Sequence, residues 1–328
     1  MREIWIWAID MREEDYVIKF YKERGRDFVI LNLTDVQFND LFDLFGKRNL
    51  TENTIKRLVE EVKPDLITLT GDQVWGLRTK RSLRYLCKLM DGFNIPWAPI
   101  LGNHDCSGKA DKEYTAAHYI RSENCLFRKG PKNLFGCGNY CINICLAEGG
   151  NERIVHSLFF MDTGGRSEYL VRGEAGVKEK IVRYDNVKYN QINWYKNMLG
   201  EFRRVNGGVM PPSSVFIHIP IIQYSAAYDL WRTSGFDPSM GFGENNENIS
   251  CPPVDNGFFA MIKALGSTKN VICGHDHTNC ASILYEGVRL TFALKTGDRC
   301  YWKEGLSGGT KITVDDEGKT SIEHIFVD

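Results

Sequence analysis

The sequence predicts an α/β fold built on a largely parallel sheet covered on both faces. Three observations carry this reading. Apolar, β-branched runs alternate with helix-length segments through the first hundred residues, and the spacers are long enough for crossover helices. The runs are continuously apolar rather than alternating, as strands buried on both faces are. Each also ends on polar residues able to bind a metal, and ligand sites in open α/β sheets lie at the carboxyl ends of strands.

The elements follow in order. Asp27–Leu33 reads as a buried strand, and a helix follows from Thr51, whose hydroxyl can cap the Glu52–Val62 run. Pro64 ends that helix, and Asp65–Thr70 is the next strand. Lys80–Asp91 reads as a second helix and Ile95–Leu101 as a third strand. These strands lead into Asp35, then Asp72, then Asn103-His104. Further strands are expected at Tyr140–Leu146, Ile154–Met161, Ser214–Ile219, Asn270–Cys273, Ser282–Glu286, Val288–Ala293 and Thr310–Val314. Helices are expected at Asn190–Arg204 and Gly257–Leu265. Between them, Gln223–Asn256 reads as a long loop with Tyr224, Tyr228, Trp231, Phe236 and Phe242, which either borders the cleft or is pinned to the body by its aromatics. No repeat, low-complexity tract or linker interrupts the chain, so residues 1–328 are expected to form one domain with its core at about 27–300 and a β-rich tail belonging to it.

Composition narrows the function. The 328 residues carry a formal net charge of −1, which offers no electrostatic basis for nucleic-acid or anionic-membrane partners. No apolar run approaches the ~18 residues of a membrane span. The apolar N-terminal run Ile4–Ile9 is too short for a secretory signal, so a cytoplasmic location is expected. Ten cysteines show no Cys-x-x-Cys pair. Cys137, Cys141 and Cys145 fall at even spacing and read as small buried hydrophobes on one strand face. Cys106 stands beside the Asn-His-Asp stretch, where oxidation could reach it.

Five stretches carry the chemistry: Asp35-Val-Gln37, Gly71-Asp72, Gly102-Asn103-His104-Asp105, His218-Ile-Pro220 and Gly274-His275-Asp276-His277. Carboxylates, imidazoles and an amide oxygen are the donors that two divalent ions ~4 Å apart require. A lone histidine is more often structural, and His118, His156 and His324 are read that way. His275 and His277 alternate about Asp276, which suits two ligands approaching neighbouring ions from one turn.

In pattern and order these stretches resemble the calcineurin-like metallophosphoesterases, closest to the purple-acid-phosphatase-related branch. Phe159–Asp162, the helix at Asn190–Trp194 and Lys295-Thr-Gly297 extend the resemblance. It implies a four-layer α-β-β-α sandwich of two mixed sheets flanked by helices, with a dimetal site at the carboxyl ends of the strands. It implies Asp72 as the bridging carboxylate, Asp35 and His277 on the first ion, and Asn103, His218 and His275 on the second. His104 takes the family place of a non-ligand imidazole that protonates the leaving oxygen, with Asp105 orienting it or capping the next helix. The implied activity is hydrolysis of a phosphomonoester or phosphodiester by metal-activated hydroxide, the substrate being a small phosphate ester or a phosphoprotein. Two rival readings are a phosphodiesterase of cyclic nucleotides or glycerophospho-compounds and a non-catalytic scaffold on the same fold.

This chain departs from the pattern at one ligand. The common family histidine is replaced by Gln37, and the tyrosine of purple acid phosphatases by Trp75, whose indole N–H cannot ligate. Gln37 is expected to reach the first metal through its amide oxygen, directly or through water. A harder oxygen shifts preference towards Mn, Fe or Mg over Zn; the two divalent ions are expected to be Mn, Fe or Zn.

Overall fold

The computed structural model describes residues 16–39, 49–105, 110–148, 151–172 and 178–327. The Ile4–Ile9 run and Cys106 lie outside these residues. Strand β1 (Val17–Tyr21) belongs to an eight-stranded sheet. Strands β2 (Phe28–Leu33), β3 (Leu66–Thr70) and β4 (Trp97–Ile100) are parallel neighbours in a five-stranded sheet, joined by α1 (Asn49–Val62) and α2 (Thr79–Asp91). Leu33 pairs with Leu69 and Thr70 with Ile100, so the three carboxyl ends are level. That register brings Asp35, Asp72 and Asn103 out side by side. Antiparallel β14 (Gly308–Val314) and β15 (Thr320–Phe326) complete this sheet beyond β2.

The eight-stranded sheet adds β5 (Tyr140–Glu148), β6 (Asn151–Phe160), β9 (Ser213–Phe216), β10 (Gly241–Phe242), β11 (Thr268–Cys273), β12 (Ser282–Tyr285) and β13 (Val288–Phe292). Its order is β1-β5-β6-β9-β11-β13-β12-β10, with β6, β9, β11 and β13 parallel. Phe216 pairs with Ile272 and Cys273 with Phe292, so His218, His275 and Lys295 leave the sheet just past neighbouring ends. Helices α3 (Lys112–Arg121), α4 (Tyr189–Val205), α5 (Gln223–Thr233) and α6 (Phe258–Leu265) complete the helical layers.

Alternation along the strands shows how the layers stack. Ile142, Ile144, Leu158, Phe160, Phe216 and Ile272 share one buried cluster with the five-stranded sheet and, beyond that sheet, with Ile55, Leu58, Leu83 and Leu86 of α1 and α2. Their neighbours Cys141, Cys145, Phe159, Val215, Val271 and Cys273 face the other way, against Ile192, Tyr195 and Leu199 of α4 and Phe258 and Ile262 of α6. A strand with both faces buried must sort its side chains by the period-two pleat. The result is a four-layer sandwich, helices on each outside and two mixed sheets within.

Several expectations need correction. Thr51 does not cap a helix; α1 starts earlier, at Asn49, and the Thr51 hydroxyl instead donates to Asp298 Oδ1. The stretch Gln223–Asn256 is not all loop, because Tyr224, Ala227 and Trp231 recur at helical spacing and form the buried face of α5. Cys137 precedes β5 and packs in the inter-sheet core, whereas Cys141 and Cys145 face α4. Asp105 does not cap the next helix, since Asp111 caps α3 by accepting from Tyr114 N at 2.7 Å. Strands β1 and β15, helix α3 and the hairpin β7 (Arg166–Arg172) and β8 (Lys178–Tyr184) were not expected from the sequence. The hairpin pairs only with itself among the described residues; β7 alternates exposed with half-exposed side chains and β8 is mostly exposed, so it lacks the apolar signal of a core strand. No helix among the described residues is long and apolar enough to cross a membrane.

Candidate metal centre

The centre lies where the carboxyl ends of both sheets meet. The five-stranded sheet brings Asp35, Gln37, Asp72, Asn103 and His104, and the eight-stranded sheet brings His218, His275, His277 and Lys295. Sharp turns present them. Asp35, Gln37, Asp72 and His275 all have positive φ, between 49° and 80°. Such conformations cost roughly 1–3 kcal/mol each in non-glycine residues and persist where the surroundings impose them, most often at functional sites. Glycines make room: a Cβ on Gly102 would overlap Asp72 Oδ1, and one on Gly274 would overlap Thr34 Oγ1.

Four atoms converge on one point. His218 Nε2 lies 3.4 Å from Asp72 Oδ1, 3.0 Å from Asn103 Oδ1 and 3.3 Å from His275 Nδ1. His218 Nδ1 donates to Thr70 O at 2.8 Å, which leaves Nε2 as the ligand-type nitrogen aimed at the others. A cluster of acceptor atoms with no donor among the oxygens fits a cation. The buried carboxylates Asp35 and Asp72 and His218 can present ligand atoms within 4.8 Å of one another. Asp35 Oδ1 and His275 Nε2 are buried and make no hydrogen bond, an uncommon state for polar atoms in a folded interior.

The second group forms around Asp35. Its Oδ2 accepts from Thr34 Oγ1 at 2.8 Å and from the His275 backbone N–H at 2.9 Å, which aims Oδ1 at His277 Nε2, 3.4 Å away. His277 Nδ1 donates to Tyr301 O at 2.9 Å, and the Tyr301 ring stacks on the imidazole with centroids 4.2 Å apart. Gln37 is drawn in as well, but by Lys295. The buried Lys295 ammonium donates to Gln37 Oε1 at 3.0 Å and to Asp35 O at 2.9 Å. Since lysine has only donors, it fixes the amide with oxygen towards itself and –NH2 towards His277 Nε2, 3.1 Å away.

Electrostatics follow from burial and this mixture of charge. Burial favours a neutral carboxyl, yet the nearby His277, His218 and Lys295 hold Asp35 below the usual carboxylate range. Burial likewise opposes the His218 cation, but Asp72 and Asp35 beside it raise its pKa to about 10. His275 is the opposite case: burial and then repulsion by His218 lower it to about 3. Burial brings Lys295 down to about 8 against the pull of Asp35, so it is still mainly charged at neutral pH.

His104 stands at the mouth. Its backbone N–H donates to Asp72 Oδ1 at 2.8 Å, its side chain is 41% exposed, and Nε2 is 4.0 Å from Asp72 Oδ2. Asp105 is buried beneath it and does not orient the imidazole by any hydrogen bond seen among the described residues. Its carboxylate accepts from Gln73 N at 2.7 Å, Val74 N at 3.0 Å and Gly102 N at 2.8 Å, tying the Asp72 turn to the Asn103 turn. The three other histidines lie elsewhere and pair with the chain. His156 bridges Gly318 O and Ser214 Oγ, His324 bridges Cys280 O and Thr310 Oγ1, and His118 pairs with Tyr114 O.

Three contributors were not assigned to the centre from the sequence. Lys295 stood out only as part of the Lys295-Thr-Gly297 resemblance, with no role given to it. Tyr301 supports His277 from a distant turn, and Tyr184, at the end of the exposed hairpin, sets its ring edge-on to His275 with centroids 4.3 Å apart. Neither tyrosine lies in a motif.

Comparison with known proteins gives a consistent assignment. The chain is 28% identical over 247 residues to an Arabidopsis thaliana protein described as a probable inactive purple acid phosphatase, covering 70% of this chain and 57% of that one. It is 27% identical over 237 residues to the Saccharomyces cerevisiae phosphatase DCR2, covering 70% of this chain and 38% of that one. The chain thus spans little more than half of the first relative. A solved dimetal phosphatase from Danio rerio aligns over 90% of this chain and 98% of its own at 12% identity, with a TM-score of 0.49. The family model for calcineurin-like phosphoesterases matches residues 28–279, which takes in all five stretches, and the chain belongs to that family.

Proposed function

We propose that this chain is a metal-dependent phosphohydrolase that cleaves a phosphomonoester or phosphodiester. The observation that carries the reading is the convergence of Asp72, Asn103 and His275 ligand atoms on His218 Nε2, with a second carboxylate, Asp35, beside them. Asp35, Asp72 and His277 would hold one divalent ion, and Asp72, Asn103, His218 and His275 the other. Divalent ions bound there neutralise phosphoryl charge and acidify water.

The protein's own groups do the rest. Thr70 O, Tyr301 O and the Asp105 carboxylate hold the ligands in place by hydrogen bonds to ring or backbone N–H groups. His104, half exposed at the mouth, donates a proton to the leaving oxygen of the ester. Every described cysteine is a free thiol, which supports a reducing compartment such as the cytoplasm. The substrate is a small phosphate ester or a phosphoprotein, and the chain's net charge of −1 gives no pull on nucleic acid.

The name of the Arabidopsis relative keeps a non-catalytic scaffold as the second reading. One experiment separates the two. Metal-stripped protein is reloaded with Mn, Zn or Fe and assayed on p-nitrophenyl phosphate and bis-p-nitrophenyl phosphate. Metal-dependent turnover supports the hydrolase, and the preferred ester assigns monoesterase or diesterase. Stoichiometric metal without turnover on either ester supports the scaffold.

A further inference from the structure

We propose that Lys295 is a fixed cation that claims the oxygen of Gln37 and thereby makes the two halves of the centre unequal, so that the Asn103–His218–His275 half binds a divalent ion first and tightly while the Asp35–His277 half binds second and weakly. The inference rests on the metal-centre reading above and deepens it.

The lysine is built into the site. It is 2% exposed, and its ammonium donates to Gln37 Oε1 at 3.0 Å and Asp35 O at 2.9 Å. The turn that carries it is fastened to the turn that carries Asp35 and Gln37. Thr296 N donates to Thr34 O at 3.0 Å, Thr34 N donates to Thr296 Oγ1 at 3.2 Å, and a Cβ on Gly297 would overlap Val36 O. The contact therefore follows from backbone placement rather than from a flexible arm finding a partner.

Two consequences act in the same direction. The end of Gln37 that faces His277 Nε2 is the amide –NH2, 3.1 Å away, a donor that repels a cation where an imidazole in its place would offer a lone pair. A divalent ion in that half must also approach a buried unit positive charge, and like charges at such range in a protein interior repel strongly. The other half holds no lysine; the positive charge there sits on His218, a ligand-type imidazole that can give up its proton to an incoming ion. The amide of that half, Asn103, aims oxygen at His218 Nε2 at 3.0 Å, and His275 Nε2 is buried without a partner. Two amides in one centre thus face it with opposite ends.

The test uses full-length, metal-stripped protein titrated with Mn²⁺ by calorimetry, with total metal measured independently and dinuclear coupling followed by electron paramagnetic resonance. In the wild type the second ion should bind at least about tenfold more weakly than the first. Lys295→Met should tighten the second ion by about tenfold or more and leave the first within about threefold, and the coupled dinuclear signal should appear at lower Mn²⁺. Lys295→Gln keeps a donor near Gln37 without the charge and should act in the same direction; it serves if the methionine variant does not fold. Equal affinities in the wild type, or an unchanged second ion in a folded lysine variant, would overturn the role of Lys295. Failure of the wild type to bind even one ion would instead overturn the metal-centre reading itself.

Discussion

The two halves of the centre are made of similar groups and differ in how those groups are already engaged. Around His218, ligand-type atoms face one another, with Asn103 Oδ1 at 3.0 Å and His275 Nδ1 at 3.3 Å. Around Asp35, the corresponding positions are knit together by donors, with the Gln37 amide between Lys295 and His277. One half can shed a proton to admit a metal ion, and the other holds a lysine that cannot leave. A ligand list taken from sequence treats them as equivalent, because it records residue types and not what each polar atom is bound to.

The largest expected effect comes from the group the halves share. Asp72→Asn removes the carboxylate between them and should lower metal affinity by more than about a hundredfold and abolish turnover. Full metal content with near-normal rates in that variant would remove Asp72 from the bridge. His104→Ala separates chemistry from binding. It should cut turnover by ~10²–10⁴ and leave metal content unchanged, with a smaller loss on esters that have good leaving groups. Loss of metal from this variant would make His104 a ligand.

The comparison itself is sharpened by truncating its two amides. Asn103→Ala should weaken the tight ion by about 10–100-fold, while Gln37→Ala should change that ion by less than about threefold. Equal losses would erase the distinction between the halves. Protons offer another probe. Because the Asp72 and Asp35 carboxylates favour the His218 cation, uptake of the tight ion should expel its proton, so affinity should rise with pH, by up to about tenfold per unit. Calorimetry in buffers of different ionisation enthalpy should then report release of about one proton. A buffer-independent heat would contradict the His218 assignment. The smallest effect is expected at Thr51→Val, which cuts the tie from α1 to Asp298 behind the Lys295 turn. It should lower unfolding stability by about 0.5–1.5 kcal/mol and leave the tight ion untouched, as thermal unfolding and calorimetry would show.

Much of the fold was legible because burial on both faces writes long apolar runs. Leu66–Thr70 and Thr268–Cys273 were readable for that reason, and so were the ligands just beyond them. Helix α5 was also legible from the spacing of Tyr224, Ala227 and Trp231, but the glycines and proline after it made the whole segment read as loop. The β7–β8 hairpin was not legible, since its sides are charged and largely exposed. At the centre, the identity of the ligand-type residues was readable and their engagement was not. Nothing local to Gln37 reveals that a lysine 258 positions away holds its oxygen. That pairing depends on the register of two strands in different sheets, which only the assembled fold sets.

The same hairpin has a practical meaning. It pairs with neither main sheet among the described residues, yet Tyr184 at its end touches His275, Arg166 at its start lies over the Tyr184 ring at 4.9 Å, and Gly165 adjoins Asn103. Changes along the outer length of such an arm leave the register of both sheets alone, and the aromatic at its root is the part that bears on the centre.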